Sequence, residues 1–198
     1  MVLTVYASRL LATTTKTAFA GHVILSFSSM AYGCLASGAS PIQDTDANEL
    51  SAPVSEFVLD TITQMYSGHG ILSTKGFCRS VVFEDPAAKC VGINEISEAF
   101  RALQWCQPVS LSKPKIIGNA ATLDRTGLGV MVVLELHQKY FDKFKVKSLI
   151  VVEVDETGLI KRIEERWNGA SLLSTRPFSI SRRFNGLLSF AATQILIR

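Results

Sequence analysis

The chain lacks the materials of several common architectures. Its 198 residues include only 4 Cys, at 34, 78, 90 and 106, and no C-x-x-C pair. Three His, at 22, 69 and 137, stand far apart. A structural zinc site and a dense disulfide framework are therefore not expected, and no metal or cofactor is implied. With Pro 6 and Gly 13, collagen-like and low-complexity readings are excluded. There is no internal repeat, no phosphate-binding glycine loop and no G-x-S-x-G nucleophile motif. N-x-S/T glycosylation sites are also missing, which argues weakly against secretion.

Charge is missing in a regional way. Residues 1–43 hold Arg9 and Lys16 and no acid. Residues 166–198 hold five Arg and no acid. All 17 acids lie between, against 13 bases. The net +3 thus belongs to the two ends, and the acidic middle argues against a nucleic-acid-binding core, which needs a clustered basic face. What is present is apolar: 47% hydrophobic against 19% charged, enough for one sizeable core.

Residues 1–45 read as a leader. The first 43 carry 11 Ser or Thr, the composition of an organelle import peptide for a chloroplast or mitochondrion. A secretory signal, a membrane anchor and a plain disordered tail remain open alternatives. Residues 173–198 read as a basic amphipathic helix. Phe184, Leu187, Leu188, Ala191, Ala192 and Ile195 recur at helical spacing, and Arg182 and Arg183 stand at its beginning. It either docks on the domain or touches a membrane surface through residues 179–198.

The middle reads as helix, strand, helix, then three or four antiparallel strands. Helices are expected at Glu49–Tyr66 and from Asn94 to the stop at Pro108. Strands are expected at Phe77–Glu84, Ser110–Ile117, Leu128–Tyr140, Lys147–Asp155 and Ile160–Trp167, the last two joined at Thr157-Gly158. Helices early and strands late mean α+β.

Four segments then carry a resemblance. Val82-Phe83-Glu84-Asp85-Pro86, Gly92-Ile93-Asn94-Glu95-Ile96, Phe100, and Val151 to Trp167 with its Asp155-Glu156-Thr157-Gly158 turn resemble SnoaL-like proteins of the nuclear transport factor 2-like superfamily. The resemblance spans 49–172. It implies a cone, a curved antiparallel sheet wrapped round helices, with an apolar pocket at its open end. Members include isomerases, cyclases, dehydratases and non-catalytic binding modules, so fold does not settle function.

Strand parity nominates the site. Asp85 follows Val81 and Phe83 onto the concave side, where burial would raise its pKa and suit it to general-base work. The competing reading is that Asp85 only holds the Asp-Pro turn. Glu165, in parity with Ile163 and Trp167, brings a second carboxylate, or else forms a rim salt bridge. His137 falls with Met131, Val133 and Glu135 on the poorer face of its strand, and enters the pocket only if a bulge shifts parity. Tyr66, Phe83, Phe100, Trp105, Tyr140 and Trp167 are the expected pocket wall. Two functions follow. One is a cofactor-independent isomerase, cyclase or dehydratase for an apolar small molecule; the other is a non-catalytic binding or scaffold module delivered by its tails. Aliphatic side chains on the second sheet face, Met131, Val133, Leu149 and Val151, predict a two-fold homodimer; the alternative is that the C-terminal helix from Ser179 folds back over this face within one chain.

Overall fold

A computed structural model describes residues 52–124, 127–169, 172 and 176–196. The expected leader lies outside them. The elements are helix α1 (Ala52–Gln64), strands β1 (Phe77–Glu84) and β2 (Lys89–Val91), helix α2 (Ile93–Ala102), strands β3 (Val109–Ser110), β4 (Lys115–Asp124), β5 (Gly127–Tyr140), β6 (Phe144–Val154) and β7 (Ile160–Trp167), and helix α3 (Arg176–Leu196). The fold is α+β: a curved seven-stranded sheet wrapped round the early helices, with α3 added outside.

The sheet order is β2-β1-β7-β6-β5-β3, and β4 also pairs with β5. β3 and β4 take successive stretches of the same β5 edge, at Lys139–Gln138 and then from Glu135 to Gly127. The single strand expected over Ser110–Ile117 is therefore two. Pro114 has no N–H to donate and interrupts the ladder, and a register shift between Ile116 and Gly118 bends the strand that follows. The sheet is also mixed, not wholly antiparallel. β1 runs parallel to β7, pairing Phe83 with Ile163 and Glu84 with Glu164.

The β6–β7 hairpin forms where expected, from Ser148↔Trp167 to Val154↔Ile160. Its turn is organised by Asp155, whose Oδ1 accepts from the Thr157 amide and hydroxyl and from the Leu159 amide. Gly158 takes φ +82°, a conformation costly for any side chain. Burial pushes the Asp155 carboxyl up, but these donors and the Cys78 thiol win and bring it to about 2. The β5–β6 turn is less legible: Phe141 and Asp142, neither of them glycine, both take positive φ.

Val132, Leu134 and Leu136 face the core with Val58, Ile62, Val81, Ile96, Ile150 and Ile163. Each buried side chain of that size contributes about 1.5–3 kcal/mol, an upper bound given a compact unfolded state. On the opposite face Val133 and Val151 are also buried within the one chain, while Met131 and Leu149 are half-buried.

α3 packs against α2 and the edge strand β2, and it docks with its polar side. Arg182 reaches Glu84 at 2.6 Å, and Arg183 reaches Glu95 at 2.6 Å. Asn185 donates to the Ala87 carbonyl at 2.9 Å. A Cβ at Gly186 would lie 2.2 Å from the Lys89 carbonyl oxygen, so only glycine permits this approach. Phe184, Leu187 and Leu188 of the expected apolar stripe face outward instead.

Candidate functional site

The site is a cavity of about 140 Å³ inside the cone. Its wall is almost wholly apolar, with Phe83, Phe100, Leu103, Ala99 and Ala102 among the lining residues. Phe100 stands edge-on to both Tyr66 and Phe83, with ring centroids 5.0 and 4.9 Å away. Such pairs fix ring orientation as well as filling space.

Polar groups enter from several elements, including Tyr66 after α1 and Ser189 of α3. Asp85, at the end of β1, is half-buried and lines the cavity. Its Oδ1 accepts from the Ala87 and Ala88 amides, so it does hold the Asp-Pro turn. Glu165 is buried on β7, in the parity expected from Ile163. One of its oxygens accepts from the Tyr66 hydroxyl at 2.5 Å, and the other from Ser148 on β6. Tyr140, on the inward face of β5, donates to Gln138, whose amide nitrogen donates to the Tyr66 carbonyl at 3.0 Å. The cavity is thus backed by one connected network, Tyr140–Gln138–Tyr66–Glu165–Ser148.

Burial and like charge set the proton affinities. Burial raises the Asp85 carboxyl, and the nearby Glu165 charge adds to it, bringing it to about 7 although the two backbone amides pull the other way. Burial also raises Glu165, against the hydrogen bonds from Ser148, Tyr66 and Trp167. Both carboxyls therefore hold a proton more readily than an exposed carboxyl does, Asp85 in part because of the Glu165 charge. The tyrosines are raised well above their ordinary range, first by burial and then by Glu165, so both stay protonated hydroxyls.

The structure brings together Asp85, Glu165, Tyr66, Phe83, Phe100, Tyr140 and Trp167 around this space. It does not bring His137. The β5–β6 register runs unbroken from Val130↔Val154 to Tyr140↔Phe144, so no bulge shifts the parity. His137 faces outward with Glu135, 3.2 Å away, and Glu135 also binds Lys147 at 2.6 Å. His137 is therefore corrected out of the proton-transfer set. Trp105 is corrected too: it sits on the short turn Leu103–Cys106, whose Leu103 and Cys106 reach the cavity while Trp105 does not.

Sequence reasoning missed Ser148 and Gln138. Both are polar residues at inward positions of otherwise apolar strands, and that parity was the available signal. Burial pushes Cys106 up to about 11, so the one thiol in the wall stays protonated and is a poor nucleophile. Among the described residues no group of His, Cys, Asp or Glu is arranged to hold a metal ion.

No protein-family model matches the chain, and no curated protein matches it. Among solved structures it is similar to a steroid delta-isomerase from Pseudomonas aeruginosa, with 15% identity and a TM-score of 0.43 over 77% of this chain and 99% of that one. It is similar to a candidate isomerase from Bacillus subtilis, with 14% identity and a TM-score of 0.43 over 71% and 97%. It is also similar to a de novo designed protein with a curved β-sheet, with 18% identity and a TM-score of 0.37 over 67% and 97%. At these identities the likeness is one of fold.

Proposed function

We propose that this chain is a SnoaL-like cone that binds a small apolar carbonyl compound and moves one of its protons without a cofactor. The observation that carries the reading is the pairing of Asp85 and Glu165 at one apolar cavity, with both proton affinities raised and Asp85 at about 7. A general base works best when its pKa lies near the working pH.

The step balances within the site. The Asp85 carboxylate takes a proton from the carbon next to the carbonyl, leaving an enolate and a neutral Asp85. The same carboxyl returns the proton to that carbon or to the end of a conjugated system, which shifts the double bond. In this reading the Tyr66 hydroxyl, which donates to Glu165 in the free protein, swings its hydrogen bond to the enolate oxygen as charge develops there. A cavity of roughly 150 Å³ accepts a single aromatic ring, so the substrate class is a small cyclic ketone or enone.

The test is deuterium uptake from D₂O at the α-carbon of a small cyclic ketone, followed by NMR. The wild type should exchange at least ~100-fold faster than Asp85→Asn, the lower range for a lost general base. A wild type no faster than buffer, or an equally fast variant, refutes the reading. A second reading has its own support. Asp85 Oδ1 already accepts two turn amides, as a purely structural aspartate would. In a non-catalytic binding module the ketone would shift protein NMR signals on binding and exchange no deuterium.

A further inference from the structure

α3 presents a narrow face of polar and small residues to the cone. Arg182, Asn185, Gly186, Ser189 and Thr193 fall at i, i+3, i+4, i+7 and i+11, one stripe along the helix. Thr193 reaches the Glu98 carbonyl of α2 at 3.4 Å, and Ser189 stands in the cavity wall. The other three grip the turn that carries Asp85. Arg182 pairs with Glu84 just before it, at 2.6 Å. Asn185 donates to the Ala87 carbonyl inside it, at 2.9 Å. Gly186 packs on the Lys89 carbonyl just after it.

The Asn185 contact reaches the carboxyl itself. The Ala87 carbonyl and the Ala88 N–H are two ends of one planar peptide group. The carbonyl accepts from Asn185, and the N–H donates to Asp85 Oδ1. Asn185 is thus joined to Asp85 through a single rigid unit. Donation to the carbonyl polarises the peptide and makes its N–H a better donor, by about 10–30% per bond in such chains. Carbonyl and N–H point opposite ways, so holding both also stops the peptide from rotating within the turn. The Ala87 N–H donates to Oδ1 as well, at 2.8 Å, but it belongs to the preceding peptide, to which Asn185 donates nothing. Both amides go to Oδ1. Among the described residues none donates to Oδ2, so Oδ2 is the oxygen left to take a proton.

We propose that Asn185 is a positioning residue for the proton transfer: it fixes the Ala87–Ala88 peptide and, through it, the orientation of the Asp85 carboxylate and how readily it takes a proton. The part in catalysis rests on the function proposed above, and the relay to the carboxyl stands without it. The groups around Asp85 make this contact count. Burial and then Glu165 of β7 favour its proton, and the Ala88 amide is the foremost group opposing them. The Ala87 amide and Arg182 of α3 oppose them too. Burial keeps Cys90 of β2, Tyr66 and Tyr140 protonated, so they add no charge. From α2 the cavity wall receives only apolar side chains. Asn185 is therefore aimed at the strongest of the groups that keep Asp85 ionised. Its loss weakens the Ala88 donor and raises the affinity of Asp85 for its proton.

The experiment follows the Ala87 and Ala88 amide signals of the full chain by NMR from about pH 4 to 9, a range that brackets ordinary and raised carboxyl midpoints. In the wild type both should titrate with Asp85, to which both donate. Asn185→Leu is close in size and cannot donate. It should move the Ala88 amide proton upfield by more than that of Ala87, and raise the common midpoint by about half a pH unit. Asn185→Ala, which adds no bulk, is read the same way should the leucine not fold. Arg183→Lys keeps the charge but gives up the two-pronged contact with Glu95, so it loosens α3 elsewhere and should leave the midpoint in place. A wild-type Ala88 amide that does not titrate overturns the proposal, as does a midpoint at or below the wild type in the Asn185 variants. Equal movement in Arg183→Lys means that α3 acts only by docking, and the proposal falls. In ketone exchange the Asn185→Leu rate profile should move up in pH with the midpoint, and an unmoved profile beside a moved midpoint overturns the part in catalysis. A wild type without exchange refutes the proposed function, while the amide titration still decides the relay.

Discussion

Replacing Gly186 with Ala tests whether α3 is held by its polar face. In an isolated helix this change stabilises by about 1 kcal/mol, because Gly loses the most backbone freedom. Against β2 the new methyl would lie 2.2 Å from the Lys89 carbonyl oxygen, 2.9 Å from its carbon and 3.3 Å from Cys90 Sγ. A carbon approaches a carbonyl oxygen to about 3.3–3.6 Å at best, so α3 must retreat by roughly 1 Å. The obstacle is strand backbone paired to β1 and cannot swing aside. The retreat stretches Arg182 from Glu84 and Arg183 from Glu95. Breaking a buried pair outright costs about 3–5 kcal/mol. Partial loss of that, less the helix-propensity gain, leaves a net destabilisation of about 2 kcal/mol. In a domain of this size that lowers the melting temperature by roughly 4–8 °C. The assay is a circular-dichroism melt, with amide exchange read over residues 176–196. An unchanged or raised melting temperature, with α3 amides as protected as before, would refute the docking geometry.

Asp85→Asn should change stability in a pH-dependent way. The folded pKa of Asp85 lies above its ordinary 3.8, so its carboxylate is increasingly penalised as pH rises from 3.8 toward about 7. The variant should therefore gain about 1 kcal/mol at pH 8, discounted for partial exposure, and nothing near pH 3.5; denaturant melts at the two pH values decide it. Tyr66→Phe removes one donor from buried Glu165 and should cost about 1–3 kcal/mol. It should also raise the Glu165 carboxyl further, since the Tyr66 hydrogen bond pulls it down, and carboxyl NMR titration would show an unmoved midpoint if that is wrong. Two copies pairing through the outer sheet face would use half-buried Met131 and Leu149, and Met131→Glu with Leu149→Glu should then halve the mass in light scattering. A wild type already monomeric at micromolar concentration removes that pairing.

Much of the cone was legible because strand parity is local. Alternation along Gly127–Tyr140 put Val132, Leu134 and Leu136 inward and His137 outward, and the unbroken β5–β6 register kept it so. The same rule carried Asp85 and Glu165 into one cavity. What failed to show was long-range. Arg182 and Glu84 are 98 residues apart, so the pair that turns α3 polar-side-in leaves no local trace. The stripe of Phe184, Leu187 and Leu188 suggested docking, yet it is the side left outside. Gly186 suggested a weak helix, and its role is close approach to Lys89. Ser148 was passed over because one Ser in an apolar strand means nothing until Trp167 and Glu165 are registered beside it.

The parallel join between β1 and β7 has a consequence for biosynthesis. Phe77 meets Ile160 about 80 residues later in the chain. At ordinary translation rates of about 5–20 residues per second, β1 waits roughly 4–16 s for its neighbour to be made. Through that interval the three-residue β2 is the one strand beside β1, helices α1 and α2 cover only its face, and the other edge of β1 is bare. Such an edge is a template for intermolecular pairing. The cone therefore closes late, after the β6–β7 hairpin has left the ribosome. Slowing elongation between residues 84 and 160 should lower the soluble yield, whereas slowing it after residue 167 should not.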